Sequence, residues 1–138
     1  MLGRAEIEAM IPHAGPMVLL DRVLSFDETS ILCSTMSHRR ADNPLRRGNA
    51  LPAVCGAEYG AQAAAIHGPA ASGGAERPGQ IVLLRDITWQ VPDLSGIDGP
   101  LLVRAECRHK DARSMAYAFT LSAADREILR GECGIILT

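Results

Sequence analysis

The residues of this sequence that could carry chemistry are a carboxylate, a histidine and two amide side chains. Glu58 stands in an alanine- and glycine-rich stretch, with Cys55 one helical turn before it and Gln62 one turn after it. A carboxylate in apolar surroundings is costly unless it is paired or protonated. The same surroundings suit it to giving or taking a proton. Two readings of Glu58 are open: a core carboxylate that satisfies a backbone group or a partner chain's arginine, and a catalytic carboxyl, which we favour. His13 lies between Pro12 and Pro16 and is read either as a base or as a cap for backbone groups. Asn49 precedes the Glu58 stretch and suits orienting a water or a carbonyl group. His38 and His109 fall at strand ends and are expected in solvent. His67 falls at a helix end, where the dipole gives it a structural role.

The stretch Leu51–Gly68 that carries Glu58 reads as one helix, with Pro52 at its first position and Gly68 just past its end. It is apolar nearly all round, so burial is expected. Gly56 and Gly60 each cost about 1 kcal/mol relative to alanine inside a helix, which implies that other backbone comes close to that face. The first turn offers the amides of Val54, Cys55 and Gly56, with the positive end of the helix dipole, to a substrate oxygen. Gly56 would let that substrate approach.

Alternating apolar residues predict strands over 18–26 and 31–37, joined as a hairpin by the polar turn 27–30. Residues 1–11 read as a short amphipathic helix with Ile7, Met10 and Ile11 on one side. Loops fill 38–50 and 69–79. Four more strands follow, over 80–91, 101–109, 115–121 and 129–137, and their spacing predicts an antiparallel meander with Gly131 at a bulge. In the first of them Ile81, Leu83, Ile87 and Trp89 share the core parity. An apolar helix and a sheet with one apolar face satisfy each other when the sheet curls around the helix. The expected class is α+β, one domain over 1–138.

The 138 residues are 47% hydrophobic and 22% charged, with a net charge of −2, which gives no electrostatic case for nucleic acid or an anionic membrane. An aromatic content of 4% argues against base-stacking platforms. No apolar run suits a membrane span and the N-terminus is no secretion signal, so the cytoplasm is expected. Cys33, Cys55, Cys107 and Cys133 form no C-x-x-C pair; no metal or cofactor is expected, and the thiols read as small buried hydrophobes.

Two motifs add a resemblance. Pro12-His13-Ala14-Gly15-Pro16-Met17-Val18-Leu19-Leu20-Asp21-Arg22-Val23 resembles the P-H-x-x-P-x-x-L-x-D-R-V opening of the 3-hydroxyacyl-(acyl-carrier-protein) dehydratases. Leu51 to Gln62 resembles their M-P-G-V-x-x-x-E-x-x-A-Q helix start. Within that group the chain is most similar to the dehydratase-like proteins of aryl-polyene biosynthesis. The resemblance implies the hot-dog fold, a curved antiparallel sheet wrapped around one long central helix. It implies dehydration of a 3-hydroxyacyl thioester on acyl carrier protein, and a homodimer or a heterodimer with another hot-dog subunit. The family's catalytic His in G-H-F-P-G is absent, and Asn49 falls where it would stand.

Under that resemblance Glu58 is the acid for the departing hydroxyl, His13 the candidate base, and Val54, Cys55 and Gly56 the thioester site. Gln62 would bond Glu58 or its partner loop. Leu83, Ile87, Trp89 and the alanine face of the helix would line an acyl tunnel. Arg39, Arg40, Arg46, Arg47 and Arg85 are candidate contacts for an acidic carrier protein. The alternatives are a hot-dog thioesterase, in which Glu58 with an amide side chain activates water, and a non-catalytic subunit of a heterodimer.

Overall fold

The computed structural model describes residues 1–11, 15–77 and 79–137; the His13 expectation lies outside them. Helix α1 (Arg4–Met10) turns Ile7 fully into the core. Strands β1 (Arg22–Phe26) and β2 (Ser30–Thr35) form the predicted hairpin. Asp27 closes its turn by accepting from the Thr29 and Ser30 amides at 2.9 and 2.7 Å, and those bonds hold its carboxyl below the usual value. Strand β1 is shorter than predicted. Val18, Leu19 and Leu20 are buried, but a side chain of the central helix, not a strand, satisfies the Leu19 and Leu20 amides.

That helix, α2 (Gly56–Ala71), follows a 3₁₀ turn at Ala53–Cys55, so Pro52 stands outside it. Gly68 and Pro69 lie within it, correcting the expected end. Pro69 forgoes one helical hydrogen bond, but in the last turn, where little helix follows to be disrupted. The chain then leaves through Gly73 and Gly74, whose φ of 64° and 91° suits glycine.

Strands β3 (Gln80–Trp89), β4 (Leu101–Lys110), β5 (Ser114–Ala123) and β6 (Arg126–Ile136) complete one antiparallel sheet in the order β1-β2-β4-β5-β6-β3. Only β4-β5-β6 is a meander. The connection 90–100 carries the chain across, so β4 pairs with β2 and β3 with β6 at the far edge. The sheet encloses α2 with Val103, Tyr117, Phe119, Leu121 and Leu129, each at most 1% exposed.

The helix glycines are explained by that enclosure. A Cβ at Gly60 would stand 2.1 Å from the Phe119 ring, and one at Gly56 3.0 Å from Leu129. Side chains of β5 and β6, not another backbone, make the close approach. Two register shifts in β3 break the predicted parity. At the second, Asp86 takes φ 56° and Ile87 turns onto Gly131, where a Cβ would stand 2.3 Å from it. The bulge expected at Gly131 therefore sits opposite it. Leu83 and Trp89 are left 48% and 47% exposed on the sheet edge. Among the described residues no helix is long and apolar enough to cross a membrane.

Candidate active site

Glu58 lies in the first turn of α2 and is exposed in the single chain, not buried as expected. Glu58 is exposed on a side of the helix where Ala65 is half-buried and Ala61 and Gln62 are 4% and 7% exposed. Ala61, Gln62 and Ala65 follow it at helical spacing. Together these four form one wall of a groove of about 250 Å³, and Ile11 with Gly79–Ile81 forms the other. The alanine part of the predicted acyl lining is therefore beside Glu58. Leu83 and Trp89 are not, and Ile87 packs inward on Gly131.

Gln62 is 7% exposed, and both ends of its amide are used. Its Oε1 accepts from the Leu19 and Leu20 amides at 2.7 and 3.2 Å, and its Nε2 donates to Met17 O at 3.1 Å. It bonds the neighbouring loop, as one of the two expectations had it, and no bond joins it to Glu58. Its role in this chain is to hold the segment Met17–Leu20 against the helix.

The helix start is more occupied than expected. The Cys55 amide donates to Pro52 O at 3.0 Å, and the Gly56 amide to the Ala53 and Val54 carbonyls. Of the three candidate amides, only that of Val54 is not paired within this turn, and Val54 is 49% exposed. Gly56 faces Leu129, Leu121 and Leu94, so its missing side chain makes room for the core, not for a ligand. Cys55 is half-buried, and burial raises its thiol, with the Arg47 charge opposing and the Glu58 and Asp93 charges assisting. Asn49 is exposed; its carbonyl accepts from Arg46 and from the Ser95 hydroxyl, each at 3.2 Å. Asp93 fixes this corner by accepting from the Leu51 amide at 2.9 Å. Burial alone would raise the Asp93 carboxyl; the bonds from Ser95 and Leu51 outweigh it and hold it low.

A buried polar network beneath the site gave little sequence signal. Tyr59 Oη accepts from Asn43 Nδ2 at 2.9 Å and lies 3.0 Å from Ser37 Oγ. Ser37 Oγ and Thr35 Oγ1 both reach Leu19 O, at 2.6 and 2.5 Å. A carbonyl only accepts, so both hydroxyls donate to Leu19 O and Tyr59 donates to Ser37. The loop before α2, the helix and the segment held by Gln62 are thereby tied together.

The described histidines divide in two. His38, expected in solvent, is fully buried with Nε2 2.9 Å from Ile97 O; burial and the Arg39 charge lower its affinity for a proton. His67 is structural, as expected, but through a core network. Its Nε2 lies 2.8 Å from Asp27 O and so carries the proton, leaving Nδ1 to accept from Tyr117 Oη at 2.6 Å. His109 is exposed beside Asp111. Cys33 and Cys133 are buried, which raises each thiol to about 12, whereas Cys55 and Cys107 are only half-buried. Of the candidate arginines, Arg39 pairs with Asp98, Arg40 with Asp21, and Arg85 with Glu132. Arg46 donates to Arg40 O at 2.7 Å. Arg47 is exposed and has no ion-pair partner among the described residues.

One apolar helix enclosed by a curled antiparallel sheet, with an exposed carboxylate in its first turn, defines the hot-dog class. Solved structures agree. The dehydratase heterocomplex ApeI:P from Xenorhabdus doucetiae superposes with a TM-score of 0.82 at 19% identity, over 96% of this chain and 90% of that one. Zebra fish thioesterase superfamily member 2 gives 0.70 at 18% identity, over 98% and 95%. AziG from S. sahachiroi gives 0.66 at 17% identity, over 84% and 89%. A sequence search of curated proteins gives no significant match. The chain belongs to the ApeP-like family: the family's ApeP dehydratase profile matches residues 5–136.

Proposed function

We propose that this chain dehydrates a 3-hydroxyacyl thioester carried on acyl carrier protein to the 2-enoyl thioester, in fatty-acid-like or aryl-polyene biosynthesis. The observation that carries this reading is Glu58 at a groove whose walls are mostly apolar, in a chain of a dehydratase family. A base removes the proton from C2, the C2–C3 double bond forms, and the C3 hydroxyl leaves as water with a proton from Glu58. His13 is the base proposed within this chain. The Val54 amide is the donor proposed for the thioester oxygen. Arg47 is the candidate least committed to other groups for meeting an acidic carrier.

The reading includes a second hot-dog subunit, either another copy or a different chain. Strand β3 is an edge with Val82, Leu83, Leu84 and Trp89 all exposed, and a long apolar edge invites pairing. A subunit docked there would also exclude water from the groove beside Glu58. A monomer by light scattering at working concentration would count against this. The absent family histidine, with exposed Asn49 in its place, favours one competing reading, a non-catalytic subunit of a heterodimer.

The test is to incubate the protein with a 3-hydroxyacyl thioester, alone and with a second hot-dog subunit, and to follow enoyl product and free thiol together. Enoyl product that disappears in Glu58→Gln supports dehydration. Free thiol without enoyl product would mean hydrolysis. Activity only in the mixture, unchanged by Glu58→Gln, would mean a non-catalytic role.

A further inference from the structure

The part of α2 that lines the groove beside Glu58 is a short run in which two of the four side chains are alanine. Glu58, Ala61, Gln62 and Ala65 line one wall. Each helical residue rises 1.5 Å, so Glu58 to Ala65 spans about 10 Å, the length of an extended chain of about eight carbons. Among the described residues, Ala65 is the last of α2 to line the groove; Gly68 and Pro69, one turn on, are buried, and on the opposite wall Gly79 is pressed against Ile135 and Leu137, where a Cβ would stand 2.2 Å from Ile135. The near end holds a carboxylate. The far end holds Ala65 and, on the opposite wall, Ile81, both half-buried.

We propose that Ala65 sets the acyl-chain length that this site accepts, at about eight carbons beyond the group held at Glu58. This rests on the dehydratase reading for the nature of the ligand, but not on turnover. The wall is short of side chain at that position, and any larger residue there would project into the space the chain terminus needs. Ala65 is a specificity-determining residue and takes no part in the chemistry.

The experiment uses saturated acyl thioesters of increasing length, which lack the 3-hydroxyl and cannot be dehydrated, so that binding is read without reaction. For the wild-type protein, affinity rises about fourfold per added methylene and then levels off once the chain fills the groove. In Ala65→Leu the plateau begins about three carbons earlier, with short chains bound as in wild type. Should that variant fail to melt cooperatively, Ile81→Ala carries the test, and its plateau begins later than in wild type. A plateau that does not move in the folded variant, or a uniform loss at all lengths, would overturn the proposal, as would absence of binding at every length. Binding that shows the shift while no 3-hydroxyacyl thioester is ever dehydrated would instead sink the dehydratase reading and leave Ala65 in its role.

Discussion

The two sides of α2 are built from the same few residue types and do opposite things. On the closed side, Gly56 and Gly60 are small so that Leu129 and the Phe119 ring can rest on the helix. On the groove side, Ala61 and Ala65 are small and leave space beside Glu58. A small residue is therefore no sign of function by itself. What matters is whether a neighbour fills the space, and that is decided by a distant part of the chain.

The comparison yields a matched set of changes, the largest effect expected on the groove side. Glu58→Gln lowers the dehydration rate by about 10²–10⁴-fold, the usual weight of a proton-transfer group. Its melting free energy stays within about 0.5 kcal/mol of wild type, because the side chain is exposed. A large loss of stability in a thermal melt would show that Glu58 supports the fold instead.

Gly60→Ala should reverse that pattern. One methyl group driven into the Phe119 ring costs about 2–3 kcal/mol of stability by overpacking, read as a lower urea midpoint. Any loss of activity should follow the folded fraction. Gln62→Leu falls on the boundary between the two sides. It strips the Leu19 and Leu20 amides and Met17 O of their partner, for about 2 kcal/mol. Hydrogen exchange should accelerate at Leu19 and Leu20 before it does so in β5. Equal acceleration in both would mean that Gln62 supports the whole core and not one segment.

The smallest effect is a pH dependence at His38. Burial lowers this group's proton affinity in the folded chain below the usual histidine value near 6.5. Its contribution to stability is therefore complete above about pH 6.5. It is lost as pH falls through 6.5 and on through the lower folded-state value. The melting temperature of wild type should drop further between pH 7 and pH 5 than that of His38→Gln, which keeps an amide donor for Ile97 O. Parallel curves would show that other groups govern acid sensitivity.

Much of this architecture was legible in the residues. Strands β2, β4, β5 and β6 follow period-two patterns, and the Asp27 turn between β1 and β2 has chemistry that needs no distant partner. The order of the strands was not legible, because β3 and β4 are consecutive in sequence and nothing local says that β4 will prefer β2. Leu83 and Trp89 misled for a related reason. Alternation read straight through β3 assumes no bulge, and Asp86 at φ 56° resets the parity partway. Glu58 was found by its neighbours in sequence, but its exposure was not. An apolar helix looks uniformly buried, and nothing local says that Glu58 is left exposed. His38 and the Tyr59–Asn43–Ser37 network join segments far apart in the chain, and no spacing rule reaches them.

The most direct measurement uses the alanines of α2 as reporters of its two sides. In a sample carrying ¹³C-labelled alanine methyl groups, a saturated acyl thioester long enough to fill the groove is titrated in. If the groove side holds the substrate, the methyl resonances of Ala61 and Ala65, which line the groove, shift and saturate together, while those of Ala63 and Ala64, which pack in the hydrophobic core away from it, stay nearly still. Shifts centred on the His67–Tyr117 end of the helix, with Ala61 and Ala65 unmoved, would contradict the account.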